Sequence, residues 1–179
     1  MIEPVILENK IFKLLGCVFY GDPFHEAEEW SYENEIGKLW NRFMTLYHKY
    51  ASLMKKICVD SNIAYELHLE PEEYMKTRNY YVLVGVEVDT IAEVPLEMFV
   101  KVLPKLNYVV FTTTLENKLE RGGYIYKTWL PEKGYEQIFP YLIQMYDQKR
   151  YKGLEHPESE IDWYIPVKKS ISRLERKKQ

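Results

Sequence analysis

Residues 80–88 read Tyr80-Tyr81-Val82-Leu83-Val84-Gly85-Val86-Glu87-Val88, and their alternation sets the fold class. Tyr80, Val82, Val84, Val86 and Val88 fall on one side, and Tyr81, Leu83, Gly85 and Glu87 on the other, which is the period of a strand. The preceding stretch, 63–69, alternates in the same way. It turns Tyr65, Leu67 and Leu69 to one face and Glu66 and His68 to the other. Further upstream the period changes. Ile36, Leu39, Trp40, Phe43, Leu46, Tyr47, Tyr50, Leu53, Met54 and Ile57 recur at helical spacing, so one long amphipathic helix is expected, packed on something flat. Ser31 can cap its first turn, where Glu33 and Glu35 suit the helix dipole. A strand over 11–20, closed by Gly21-Asp22-Pro23, completes the series.

Downstream the order repeats. Strands are expected over 99–103 and 107–112, and Thr113 and Glu116 have the spacing of a capping box at a second helix start. Leu115, Leu119, Tyr126, Trp129 and Leu130 give that helix an apolar face, Gly122-Gly123 interrupt it, and Pro131 ends it. A small residue at such an interruption lets a ligand or a neighbouring backbone come close. Strands over 141–146 and 161–167 follow. The two helix starts lie 82 residues apart and the last strands of each series about 81 apart, so the sequence predicts an internal duplication. The expected fold is α+β: two βαββ units, about 5–89 and 97–168, with a linker over 90–96. Their antiparallel sheets carry both helices on one face, with a groove between the halves. A basic tail, 169–179, ends the chain, and a solvated, frayed terminus is its simplest reading.

Composition narrows the function. With 24 Lys+Arg against 27 Asp+Glu, the net charge of −3 argues against a general nucleic-acid-binding surface. No apolar run approaches a membrane span, and Met1-Ile2-Glu3-Pro4 is unlike a signal peptide, so a cytoplasmic protein is expected. Cys17 and Cys58 read as free thiols. G-x-G-x-x-G, P-loop and G-x-S-x-G motifs are absent. His25, His48, His68 and His156 show no metal-ligand spacing, and His25-Glu26 lacks the second histidine of a zinc-protease helix. No metal or cofactor is expected.

What remains is aromatic, with 16 Tyr and 4 Trp able to wall a slot for a flat, mostly apolar ligand. Plain core packing is the alternative for each of them. The expected lining is Trp40, Tyr108, Phe111, Tyr126, Tyr146 and Trp163, together with Glu87. Glu87 is an acid inside an apolar strand, and it is either a structural hydrogen-bond acceptor or a ligand contact.

Four segments, Lys38-Leu39-Trp40-Asn41-Arg42-Phe43, Val84-Gly85-Val86-Glu87-Val88, 124–136 (YIYKTWLPEKGYE) and 157–168 (PESEIDWYIPVK), together resemble the GyrI-like small-molecule-binding family. That family includes the effector-binding domains of AraC-type and MerR-type multidrug regulators. The resemblance runs from about residue 11 to 168, and the last segment is its most specific part. It implies a duplicated βαββ fold with a ligand pocket between the halves. Residues 1–30 are too few and too turn-rich for the helix-turn-helix of such regulators, so a stand-alone module is expected, acting on transcription through a partner. The family's drug-binding members place a glutamate at the pocket floor, and Gln144 stands in the matching position. The resemblance therefore implies a weaker preference for lipophilic cations.

Three functions follow as expectations: a module that senses or sequesters a small aromatic ligand, a hydrolase of cyclopropane-type genotoxic natural products, and a gyrase-inhibitor-like module that binds a protein partner. Glu87, Tyr146 and Tyr108 are the residues with suitable chemistry for the second.

Overall fold

A computed structural model describes residues 3–25 and 33–170. Nine strands join in one sheet: β1 (Val5–Lys10), β2 (Lys13–Gly21), β3 (Ile63–Leu69), β4 (Tyr80–Glu87), β5 (Phe99–Val102), β6 (Leu106–Thr114), β7 (Tyr135–Gln137), β8 (Tyr141–Asp147) and β9 (Glu160–Lys169). Their order is β1-β6-β9-β8-β3-β4-β2-β5, with β7 paired to the end of β9. Each half contributes its strands in the same spatial sequence, β2-β4-β3 and β6-β9-β8, and the halves meet back to back where β3 pairs with β8. That antiparallel seam runs from Ile63 opposite Asp147 to Leu69 opposite Tyr141, with Glu66 opposite Gln144 at its centre. The duplicated α+β architecture read from the sequence is the one observed.

Helix α1 (Glu35–Lys49) starts after Asn34, whose Oδ1 accepts from the Gly37 N–H at 2.8 Å. Asn34 thus fills the capping role expected of Ser31, which lies outside the described residues. The expected single long helix breaks at Tyr50, and α2 (Ala51–Ile57) resumes the stripe. The apolar face survives the break. Ile36, Leu39, Phe43, Met54 and Ile57 pack against Leu15 and Cys17 of β2 and Val82, Val84 and Val86 of β4. A short helix, α3 (Tyr74–Thr77), bridges β3 and β4.

The second helix departs further from expectation. Thr113 and Thr114 end β6, and the side chains of Thr114 and Asn117 each accept from the other's backbone N–H. Helix α4 (Lys118–Tyr124) then passes through a π-helical turn (Ile125–Trp129) into α5 (Leu130–Glu132). The Leu130 N–H bonds back to the Ile125 carbonyl, five residues earlier. This wide turn rotates the face: Ile125, Trp129 and Leu130 pack on Val109, Phe111 and Ile165, whereas Leu119 is 82% exposed and Tyr126 leaves the core. Pro131 does not stop the helix at once: α5 runs one residue past it, to Glu132.

The connections force the sheet to curl. Only Ile11 and Phe12 separate β1 from β2, a reach of about 11 Å, yet six strand spacings of a flat sheet would part them by roughly 29 Å. The short β5-to-β6 link imposes the same constraint. The sheet therefore wraps around Phe12, which is 1% exposed and meets Tyr65, Tyr108 and Tyr164 edge-on at 5.3 to 5.7 Å between ring centres. Leu14, Leu67, Leu83 and Ile143 complete this inner core. Both helix groups pack on the outer face.

Inside that core the Tyr108 and Tyr141 hydroxyls hydrogen-bond at 2.8 Å. Tyr108→Phe is expected to cost about 1–2 kcal/mol in urea denaturation, because it strands the buried Tyr141 hydroxyl. Adding Tyr141→Phe should recover part of that loss, since no orphan group is left behind.

Among the described residues no helix is long and apolar enough to cross a membrane. No group of three His, Cys, Asp or Glu side chains among them could hold a metal ion.

Candidate functional site

The chemistry on the outer face concentrates where the two halves meet. At the centre of β3, alternation turns Glu66 and His68 toward the helices, away from Tyr65 and Leu67 in the inner core. Glu66 is 1% exposed. Its carboxylate accepts from the Trp40 indole N–H of α1 at 2.6 Å on one oxygen, and the other oxygen lies 2.6 Å from His68 Nε2. Directly across the seam is Gln144, whose Oε1 accepts from the Tyr146 hydroxyl at 2.9 Å. Tyr146 meets Trp40 edge-on at 5.2 Å and Tyr151 at 4.9 Å, forming an aromatic wall over the two central residues.

Electrostatics tie the surroundings to Glu66. Burial pushes the Tyr146 phenol well above its ordinary range, and the negative charge of Glu66 adds to the shift. The same two causes, in the same order, raise Tyr80, whose ring packs against His68. Both phenols therefore stay neutral well above physiological pH. From the first turn of α4, Lys118 comes within reach of the same charge. Burial lowers its ammonium below the usual 10.5, and Glu66 partly offsets this. The seam thus holds a buried anion, two neutral phenols, an indole donor and a destabilised lysine.

The residues expected to line the slot divide between two faces. Trp40, Gln144 and Tyr146 meet at the seam. Trp163 is the cross-strand neighbour of Gln144, and Phe111 is the next residue on the same face. Phe111 is 2% exposed and belongs to the core under the π-helical turn. Tyr126 is half-exposed on the π-helical turn, its phenol pushed up to about 12 by burial and then by the charge of Glu70 at the end of β3.

Glu87 and Tyr108 lie on the inner face instead. Glu87 forms an ion pair with Lys10 and accepts a long hydrogen bond of 3.4 Å from Tyr65. Its charge is therefore compensated within the structure, and Tyr108 is fully buried beside Phe12. The sheet separates these two from Tyr146, so the three groups considered for hydrolysis do not converge.

Sequence reading missed Glu66 and His68. Alternation placed them on the polar side of 63–69, which looks like a solvent face unless the seam is known. The duplication carried the signal, because the neutral Gln144 on the seam strand of one half has a carboxylate as its counterpart on the seam strand of the other. Two recesses lie elsewhere. One of about 280 Å³ is lined by Thr112, Asn117, Glu120, Arg121, Tyr124 and Glu160. The other, of about 300 Å³, lies between Glu3, Ile6, Trp129, Tyr135 and Lys169.

Comparison with known proteins agrees with this geometry. Over 164 residues the chain is 27% identical to the transcriptional regulator BrlR of Pseudomonas aeruginosa, covering 90% of this chain and 54% of the regulator. It thus spans about half the length of the curated relative it matches. Among solved structures it resembles SAV2435, determined bound to tetraphenylphosphonium, with a TM-score of 0.61, 14% identity and coverage of 98% of this chain and 97% of the other. It also resembles a hydrolase encoded by lin2189 from Listeria innocua, with a TM-score of 0.59, 12% identity and coverage of 93% and 92%. At such identities these two likenesses show the fold alone. The family model for integron-associated effector binding protein, Cass2, matches residues 6–167. A duplicated sheet joined at a polar seam, matched to that model over nearly its whole length, places this chain in the integron-associated effector binding protein family, whose members are small-molecule-binding modules of the GyrI-like type.

Proposed function

We propose that the protein binds an aromatic, mostly apolar cation at the seam between its halves, with the positive charge over Glu66 and the rings against Trp40 and Tyr146. The observation that carries this reading is the buried Glu66 carboxylate, held by an indole and an imidazole beneath an aromatic wall. A desolvated carboxylate in an aromatic setting favours a soft, weakly hydrated cation over a metal ion or an ammonium. The loss of charge at Gln144 alone would predict a weaker preference for cations. Glu66, facing Gln144 across the seam, supplies the carboxylate from the other half. The binding of tetraphenylphosphonium by SAV2435 supports the same class of ligand. In the cell such a module senses or sequesters its ligand, and the partial-length match to a transcriptional regulator supports an effect on transcription through a partner.

The test is titration with tetraphenylphosphonium, followed by tryptophan fluorescence and by melting temperature, with mass spectrometry of the recovered compound. Saturable quenching is expected, with a rise of roughly 5–11 °C at a hundredfold excess over Kd and the compound unchanged. Equal binding of neutral triphenylphosphine oxide would remove the charge from the reading. Recovery of an altered product would make the protein an enzyme.

Lys118 supplies a pH dependence of known sign. Its ammonium repels an incoming cation, and burial lets it lose its proton below the usual 10.5. Affinity for tetraphenylphosphonium is therefore expected to rise as the pH climbs toward the ordinary lysine range, while Tyr146 and Tyr80 stay neutral. Lys118→Met should bind about 5-fold tighter at pH 7 and show a flat profile over that range. An unchanged slope in the variant would clear Lys118 of this role.

A further inference from the structure

The seam carries polar groups on both halves, and they differ in kind. Among the described residues, Trp163 Nε1 is the buried side-chain nitrogen or oxygen without a hydrogen-bond partner. An indole N–H is a donor only, and leaving it unmet costs about 1–3 kcal/mol. Trp163 follows Gln144 across the sheet on the outer face, one strand further from Glu66. Its benzo edge rests against α4: a Cβ at Gly122 would lie 3.4 and 3.7 Å from two atoms of that edge. The N–H edge, on the other side of the ring system, therefore faces away from the helix. Gln144 has a second unused donor. Its Oε1 is engaged by Tyr146, and no group among the described residues accepts from its amide nitrogen.

The corresponding place in the first half is different. There Glu66 pairs across the sheet with Val84, where Gln144 pairs with Trp163. The duplication has left an anion beside an aliphatic side chain in one half, and two unmet donors side by side in the other. Roughly 10 Å, two strand spacings, separates Glu66 from Trp163 along the sheet.

Resting on the reading of the seam as the binding site, we infer that the Trp163 indole N–H and the Gln144 amide N–H form a second subsite for an uncharged hydrogen-bond acceptor on the ligand. The ligand class is then an aromatic cation that carries a carbonyl or ether oxygen on the side away from its charge. The first half holds the positive end and the second half holds the oxygen. A ligand without the oxygen leaves the buried Trp163 N–H unmet, so the subsite acts as a specificity filter and not only as a source of affinity.

Two phosphonium salts of nearly equal shape test this: (4-acetylphenyl)triphenylphosphonium, which has a carbonyl, and (4-isopropylphenyl)triphenylphosphonium, which does not. The full chain is expected to bind the acetyl salt about 10-fold more tightly. In Trp163→Phe the preference for the acetyl salt should fall to within about 2-fold. A readout that needs no variant to bind is the ¹⁵N–¹H indole resonance of Trp163, assigned by its loss in Trp163→Phe. It should move downfield with the acetyl salt only. Equal binding of the two salts by the full chain, or a preference that survives in Trp163→Phe, overturns this subsite and leaves the cation site standing. Binding of neither salt overturns both.

Discussion

Glu66→Gln is expected to weaken tetraphenylphosphonium binding by about 100-fold, ~2.7 kcal/mol, and to leave the melting temperature nearly unchanged. The two halves of that expectation have one cause. A carboxylate that is 1% exposed is held against the cost of desolvation by Trp40 on one oxygen and His68 on the other. An amide keeps both contacts, its oxygen accepting from the Trp40 indole and its N–H donating to His68 Nε2 in the accepting tautomer. The fold therefore tolerates the exchange. A buried cation does not, because the amide carries no charge to compensate it. Glu87→Gln is the matched control, since Glu87 is also a largely buried acid on the sheet but lies on the inner face and is paired with Lys10. It should lower stability and leave affinity as it was. A Glu66→Gln variant that binds within about 3-fold of the natural protein would end the proposal that this carboxylate receives the cation.

Gly85→Ala is expected to destabilise the protein by at least ~3 kcal/mol, a drop of roughly 10 °C or an insoluble product. Gly16 and Gly85 are register partners in β2 and β4, and the backbones meet more closely there than side chains allow. A Cβ on Gly85 would stand 2.2 Å from the Leu15 carbonyl oxygen, and one on Gly16 would stand 1.9 Å from that of Val84. Both obstacles are main chain in a paired strand, so no rotamer change relieves them. Gly123→Ala should behave oppositely. That position in α4 has nothing within 4 Å of a new Cβ, and alanine favours the helix by about 0.5–1 kcal/mol. Equal effects of the two substitutions in thermal melts would refute the close-approach account.

The sequence showed most of the frame. Alternation over 80–88 and the repeat of helix starts identified the duplicated units, because burial on a sheet and along one helix stripe leaves a strong period. Elements without such a period escaped. Strand β1 has only six residues, none of them buried, and β7 has three. The face of the second helix was misassigned at Leu119 and Tyr126 because a π-helical turn breaks the 3.6-residue phase, and no residue type announces one.

Of the proposed site, the aromatic pattern shows Trp40, Tyr146 and Trp163, which lie around Gln144 on the outer face. Glu87 drew attention as an acid among valines, whereas Glu66 looked ordinary among alternating polar residues. Which acid is desolvated at the seam depends on how the two sheets join, and that pairing is set by contacts between residues about 80 apart in the chain.

The pairing of β1 with β6 has a consequence for the order of synthesis. Val5 finds its strand partner at Val110, and Phe12 its ring partners at Tyr65, Tyr108 and Tyr164. At about 5–20 residues per second on the ribosome, the apolar start of β1 waits roughly 5–20 seconds for its template. Strand β1 thus waits longer for its pairing partner than the other strands of the sheet do, and neither half can close its own inner core before the other has emerged.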